Sequence, residues 1–281
     1  MIKDKVVLIT GSTQGIGKRT AWRMAEQGAI IVINSRSLEK VEKTFAEFTD
    51  HGFQVLGICG DVSNYEFCEE MRNQVIARFG RIDILICNAA MAVEGTIADS
   101  SAEAIEFATR INVHGSIYPA RALMDDLSTS KGSVIFLSSI AGIVGLPGFA
   151  MYSCTKKAIL AVAESMKNEL VDNGVFIGVC LPDFTENEDT KQMMTANGEL
   201  KTIAKRKGIK TVSLDQTAKC IIQQLKTKRF IYFTSLKGRF MYYLYRFFPN
   251  LLLFVLKLNR KRFMKEGNKP IKDSIVARQH R

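Results

Sequence analysis

Residues 5–27 constrain the fold of this chain more than any other stretch. Lys5-Val6-Val7-Leu8-Ile9-Thr10 is a short apolar run rich in β-branched residues, the pattern of a strand buried on both faces of a parallel sheet. Gly11-Ser12-Thr13-Gln14-Gly15-Ile16-Gly17 follows, then a helical stretch from Lys18 to Gln27. A strand that passes through a glycine-rich turn into a helix leaves unpaired backbone N–H groups at the positive end of the helix dipole. That spot suits a phosphate, and glycines let the backbone approach it closely.

The rest of the chain continues the alternation. Apolar runs predict strands near 5–10, 29–34, 54–59, 83–87, 132–138 and 175–181, with a last short strand over Phe230-Ile231-Tyr232-Phe233. Helical patterns fall near 15–27, 37–51, 64–79, 101–127, 150–173 and 215–226. Such alternation predicts an α/β fold, a single Rossmann-type doubly wound parallel sheet with helices on both faces. Ligands of such sheets bind outside the carboxyl ends of the strands, here at the glycine turn, Asn88, Ser139 and Pro182. A chain of 281 residues is ordinary for one such domain.

Tyr152 and Lys156 stand four residues apart, with Ser139 thirteen residues upstream. Four residues along a helix bring two side chains to one face. An ammonium beside a phenol favours the phenolate, so the pair can give a proton to a carbonyl oxygen or take one from an alcohol. The motif alone is common; its company here is not.

Together these residues resemble the short-chain dehydrogenase/reductase family from about Val6 to Thr234. The family's Thr-Gly-x3-Gly-x-Gly is met by Thr10, Gly11, Gly15 and Gly17. Its adenine-holding acid corresponds to Asp61 in Gly60-Asp61-Val62. Its Asn-Asn-Ala-Gly appears as Cys87-Asn88-Ala89-Ala90, with the first Asn and last Gly replaced. Its helix asparagine corresponds to Asn112. The resemblance implies that Tyr152 is the acid/base and that Lys156 lowers its pKa and binds the nicotinamide ribose. It implies that Ser139 hydrogen-bonds the substrate oxygen and that Asn112 holds a water leading from Lys156 to solvent. Strand alternation sends Ser138 and Ser139 to opposite faces, and the interval to Tyr152 favours Ser139. The implied reaction is hydride transfer between a nicotinamide and a carbonyl/alcohol pair. The expected cofactor contacts are Thr10, Gly11, Ser12, Gln14, Gly15, Ile16, Gly17, Ser35, Arg36, Asp61, Val62, Asn88, Ala89, Tyr152, Lys156, Pro182 and Thr185. Family members often form dimers or tetramers through helices placed like 101–127 and 150–173.

The expected cofactor is NADP(H). An NAD enzyme usually ends its second strand with an acid for the ribose hydroxyls, and no acid occurs between Ala29 and Leu38. Arg36 can pair with a 2′-phosphate, and Ser35 or Ser37 can hydrogen-bond it. Lys18 or Arg19 could add charge.

Six cysteines and three histidines show no metal-like spacing, so no metal is expected. The cysteines read as small buried hydrophobes in a reducing compartment, with Cys154 the one that could react. Lys3, Asp4 and Lys5 interrupt any signal-peptide pattern, and a cytoplasmic chain is expected.

Two stretches depart from the family pattern. Asp183 follows Pro182 where a glycine is usual, and the polar contact to the nicotinamide carboxamide falls to Thr185 or Asn187. Residues 183–211 read as a mobile substrate lid with Phe184, Met193 and Met194 as apolar contacts. The second departure is the tail. Residues 1–235 form the NADP-binding catalytic domain, and 236–281 an apolar-basic extension. The extension carries twelve Lys/Arg against Glu266 and Asp273, nearly all of the chain's net +11. Arg246, Pro249, Asn250 and Lys257 interrupt its apolar run, so two amphipathic helices broken at Pro249 fit better than a membrane span. Aromatic and basic residues suit peripheral contact with an anionic membrane on its inner face; a lid over the pocket and a self-association surface are the alternatives. No nucleic-acid motif accompanies the charge.

The expected function is an NADP(H)-dependent oxidoreductase interconverting a carbonyl and a secondary alcohol on a hydrophobic, lipid-like substrate. A weak likeness of Pro182-Asp183 to 3-ketosphinganine reductases points to a long-chain keto lipid. A hydroxysteroid dehydrogenase, a small-ketone reductase and a non-catalytic NADP-binding membrane adaptor are the rivals.

Overall fold

A computed structural model of the chain describes residues 2–186, 188, 191–203 and 210–263, the side chains of 262 and 263 excepted. In chain order, the first half runs β1 (Val6–Ile9), α1 (Gly15–Ala25), β2 (Ile30–Ser35), α2 (Leu38–Asp50), β3 (Val55–Cys59), α3 (Tyr65–Phe79), β4 (Ile84–Cys87), α4 (Ala102–Thr109), α5 (Gly115–Ala122) and α6 (Met124–Thr129). The second half runs β5 (Ser133–Leu137), α7 (Ala150–Glu169), β6 (Phe176–Leu181), β7 (Gln192–Met194), β8 (Leu200–Thr202), α8 (Leu214–Thr227), β9 (Ile231–Phe233), α9 (Leu236–Phe247), α10 (Pro249–Leu258) and α11 (Arg260–Phe263).

Seven strands form one parallel sheet in the order β3-β2-β1-β4-β5-β6-β9. This is the doubly wound arrangement that the alternation predicts. Period-two alternation explains how one apolar run serves two cores. Val6 and Leu8 pack with α3, α5 and α7 on one face, while Val7 and Ile9 pack with α1, α2 and α8 on the other. The chain order reverses direction between β1 and β4, which opens a crevice at their carboxyl ends.

The stretch read as one helix over 101–127 is three helices. A π turn at Arg110–His114 separates α4 from α5, and a break at Leu123 separates α5 from α6. Pro119 lies inside α5 and has no N–H for the carbonyl four residues back, so the regular ladder cannot run through. The stretch read as a lid contains an antiparallel hairpin, β7–β8, that periodicity did not reveal; its residues Asn187, 189–190 and 204–209 lie outside the described residues. Four cysteines are buried, but Cys59, at the end of edge strand β3, and Cys154 are exposed.

The tail forms the two expected helices, with Pro249 at the start of α10. Their inner faces are buried on the domain: Met241, Leu244 and Tyr245 of α9 and Leu252 and Leu256 of α10 pack with Ala141, Val144, Leu146, Phe149 and Tyr152. Their outer faces are exposed and apolar. Leu236, Phe240, Tyr243 and Phe247 form one stripe, and Leu251, Phe254, Val255 and Leu258 the other. The basic part beyond 263 lies outside the described residues. On the opposite side of the domain, Trp22 of α1 stacks edge-on against Phe48 and Phe53, with ring centroids 5.2 Å away in each case. No helix of the described residues is long and apolar enough to cross a membrane.

Candidate active site

A cavity of about 1250 Å³ follows the carboxyl ends of the strands from the glycine turn to the tail. At one end, Gly11 and Gly15 take left-handed backbone, at φ +61° and +58°, where only glycine sits without strain. A Cβ on Gly11 would come within 2.9 Å of the Ala89 backbone, and one on Gly17 within 2.4 Å of Asn88 Nδ2. Glycine is therefore required by the packing beneath the turn as well as by the opening above it. The cradle attracts an oxyanion: Gly15 N–H, at the start of α1, donates to Glu188 Oε2 at 3.1 Å. A lid carboxylate thus occupies the place suited to a phosphate oxygen, and the residues present fit a dinucleotide's pyrophosphate.

Gly11, Gln14, Gly15, Ile16, Ser35, Arg36, Asp61, Val62, Asn88, Ala89, Pro182 and Thr185 all line this cavity. Thr10, Ser12 and Gly17 lie behind its wall, buried. Thr10 Oγ1 accepts from the backbone N–H of Asn88 and of Ala89, both at 3.0 Å, tying β1 to β4. Ser12 Oγ donates to Ile9 O at 2.6 Å and accepts from Asn34 N at 3.0 Å, tying β1 to β2. Asn88 Nδ2 bonds the carbonyls of Thr10 and Gly11 at 2.9 Å each. Asp61 Oδ1 accepts from the backbone and hydroxyl of Ser63, at 2.9 and 2.8 Å.

At the end of β2 the cavity is lined by Asn34, Ser35, Arg36, Ser37 and Lys40, none of them acidic. Lys18 and Arg19, expected to add charge here, are drawn elsewhere: Lys18 pairs with Glu47 at 2.6 Å and Arg19 with Asp215 at 2.7 Å. Lys40 takes their place, its Nζ 3.4 Å from Gln14 Oε1. Its position in the first turn of α2, beside the capping Ser37, is the signal that could have found it.

Midway along the cavity lie Ser139, Tyr152 and Lys156. Lys156 is 3% exposed, and Nζ donates to Leu137 O at 2.7 Å while lying 5.9 Å from the Tyr152 ring centre. Burial lowers its pKa to about 8, with Cys87 opposing and Lys191 adding to the shift. Ser139 caps the short turn Ile140–Gly142, accepting from Ala141 N at 3.2 Å. Ser138 turns the other way, as alternation requires, and its hydroxyl donates to Lys156 O at 2.7 Å. Asn112 is fully buried in the π turn and does not line the cavity. It accepts from Met91 N at 2.8 Å and donates to Met91 O and Thr155 Oγ1, both at 3.0 Å. Thr155 in turn donates to Tyr152 O at 2.9 Å, so Asn112 fixes the helix turn that carries Tyr152. The described residues contain no group of side chains able to hold a metal ion.

Beyond Tyr152 the wall becomes apolar. Phe149, Phe184, Met193, Met241, Leu244, Leu252 and Leu256 line it, so the tail closes the cavity that the sheet opens. This arrangement can hold an extended dinucleotide along the strand ends and an apolar molecule against the tail, with a phenol and a hydroxyl between them.

A family model described as short chain dehydrogenase matches residues 5–198. The chain is 32% identical over 205 residues to an uncharacterised oxidoreductase of Thermotoga maritima, covering 73% of this chain and 81% of that one. It is 31% identical over 224 residues to a 3-ketodihydrosphingosine reductase of Bos taurus, covering 77% and 67%. Among solved structures, an alcohol dehydrogenase of the archaeon Thermococcus sibiricus complexed with 5-hydroxy-NADP is 25% identical, with a TM-score of 0.71 over 80% of this chain and 91% of that one.

Proposed function

The chain belongs to the short chain dehydrogenase family, and from that premise we propose that it is an NADP(H)-dependent reductase of a long-chain keto lipid, of the 3-ketosphinganine kind. The observation that carries the reading is the single cavity that joins the glycine cradle, Tyr152 and the apolar tail wall. The nicotinamide, when bound, supplies or accepts the hydride. Tyr152 gives the proton to the nascent alkoxide oxygen, and in the reverse direction takes it back. Lys156, buried and poorly solvated, favours the phenolate and so eases that transfer. Ser139 donates a hydrogen bond to the same oxygen and orients the carbonyl.

The preference for the 2′-phosphate rests on Arg36 and Lys40 at an end of β2 that offers no carboxylate. The lipid-like substrate rests on the Phe, Met and Leu wall, on Pro182-Asp183 and on the named bovine relative. Peripheral contact with an anionic membrane rests on the two exposed apolar stripes of α9 and α10, on the absence of any acid between Leu236 and Lys265, and on the basic residues among them. Phe240 and Val255 belong to both the stripes and the cavity lining, so a lipid could pass from bilayer to pocket without crossing water.

The test is oxidation of NADPH and of NADH by the full chain, with 3-ketosphinganine in mixed micelles, a keto-steroid and a small water-soluble ketone. Turnover of the sphingoid ketone with NADPH is expected. Turnover of the steroid or small ketone alone would keep the chemistry and discard the lipid. Faster turnover with NADH would discard the cofactor assignment. No turnover of any carbonyl would favour the non-catalytic adaptor.

A further inference from the structure

We propose that Asp183 is a positioning residue that holds the tail in place as the substrate wall, so that it sets the enzyme's preference for long substrates. The proposal rests on the reading of the tail wall as the lipid end of the cavity.

Asp183 follows Pro182 at the carboxyl end of β6, where the lid begins and the last strand ends. Its backbone N–H donates to Thr234 Oγ1 at 2.9 Å, and Oδ1 accepts from Phe184 N at 2.7 Å. These two bonds fix the carboxylate so that Oδ2 accepts from Ser235 Oγ at 2.6 Å. Ser235 is itself the cap of α9, accepting from Gly238 N at 2.9 Å. Its single proton is committed to Asp183, which leaves its lone pairs to the helix.

The first turn of α9 contains no acid. A carboxylate there would favour the helix dipole, and Asp183 supplies it from 52 residues away in sequence. The helix so anchored lies close to the catalytic turn: a Cβ on Gly238 would stand 3.1 Å from Ile140 Cγ2, one residue past Ser139. Met241 and Leu244 of α9, with Leu252 and Leu256 of α10, pack in one cluster with Tyr152. A glycine at 183 would have no side chain to reach Ser235, so α9 would lose its charged anchor.

The test compares a long and a short methyl ketone as substrates of the wild type, Asp183→Ala, Ser235→Ala, the double variant and Asp183→Asn. Asp183→Ala is expected to lower kcat/KM for the long ketone about tenfold, chiefly through KM, with less than about a twofold change for the short one. Ser235→Ala should reproduce most of that loss, and the double variant should add little, as for two partners in one bond. Asp183→Asn, which keeps an acceptor oxygen, should fall between. Hydrogen exchange along α9 should quicken in Asp183→Ala with no substrate present. That readout still judges the anchor if the wild type uses neither ketone, a result that would count against the proposed function instead. Equal losses on both ketones, a silent Ser235→Ala beside a damaged Asp183→Ala, or unchanged exchange in α9 would each overturn the proposal. If Asp183→Ala does not fold, Ser235→Ala and Asp183→Asn carry the same comparison.

Discussion

Ser138 and Lys156 tie the end of β5 to α7 from both sides. The serine hydroxyl donates to the lysine's backbone carbonyl at 2.7 Å, and the lysine ammonium donates to Leu137 O, one residue before the serine, also at 2.7 Å. The end of β5 and the second turn of α7 are thereby tied twice. Gly142 closes over the junction, where a Cβ would lie 2.5 Å from Ser138 Oγ. The adjacent Ser139 is left facing the cavity.

The two serines should therefore separate by phenotype. Ser138→Ala removes a buried hydrogen bond and should cost about 1 kcal/mol of stability, with a modest loss of kcat. Ser139→Ala loses the longer 3.2 Å bond from Ala141 N, should cost no more stability than Ser138→Ala, and should lower kcat by about a hundredfold. Thermal unfolding beside NADPH oxidation reads both. A stable, inactive Ser138→Ala with an active Ser139→Ala would reverse the roles.

Lys156 is charged at a cost. Its folded pKa of about 8 lies below the usual 10.5, so the unfolded chain binds more protons between those values. Stability from this group rises with pH through that window, and below pH 8 the penalty is present in full. The shift already contains the bond to Leu137 O, and it amounts to about 3 kcal/mol. Lys156→Met should abolish turnover, and its stability relative to the wild type should be more favourable at pH 7 than at pH 10. Denaturant unfolding of the cofactor-free protein at both pH values checks this; a stability difference that does not change with pH would refute it.

Glu188 sits on the Gly15 N–H, where a pyrophosphate oxygen would bind. A carboxylate in that place competes with the ligand. Glu188→Ala should tighten NADPH binding about three- to tenfold, measured by titration calorimetry. Weaker or unchanged binding would show that the carboxylate is not a competitor.

Phe247 and Phe254 lie on the outer stripes and away from the cavity. Replacing both with Glu should abolish co-flotation of the chain with phosphatidylglycerol-containing vesicles and leave turnover of a small ketone unchanged. Flotation that survives the substitutions would place membrane contact elsewhere.

Much of this architecture was legible in the residues. The strands fall within a residue or two of their apolar runs because a parallel sheet buries both faces and admits few polar interruptions. The glycine turn, Tyr152 and Lys156 could be singled out by their spacing, and the structure brings them onto one cavity. What escaped depends on partners distant in sequence. Asp183 looked like a bare departure from a motif until Ser235 stood beside it. The tail could be read as helical, but its apolar residues run round both helices, and periodicity does not say which face meets the domain. The π turn at Asn112 and the hairpin over 192–202 are answers to local packing that hydrophobic pattern does not encode. Lys18 and Arg19 were misplaced because Glu47 and Asp215 claim them.

The position of Trp22, the chain's single tryptophan, gives the molecule a built-in optical reporter. The indole lies among Phe48, His51 and Phe53, on the helix whose first turn forms the phosphate cradle and on the far side of the sheet from α9 and α10. Its emission should follow loosening around α1 and the glycine turn, and a tail that detached from the domain should leave the signal unchanged. A tryptophan placed in α10 by substitution would light the other end, and the two traces together would show whether wall and cradle melt as one.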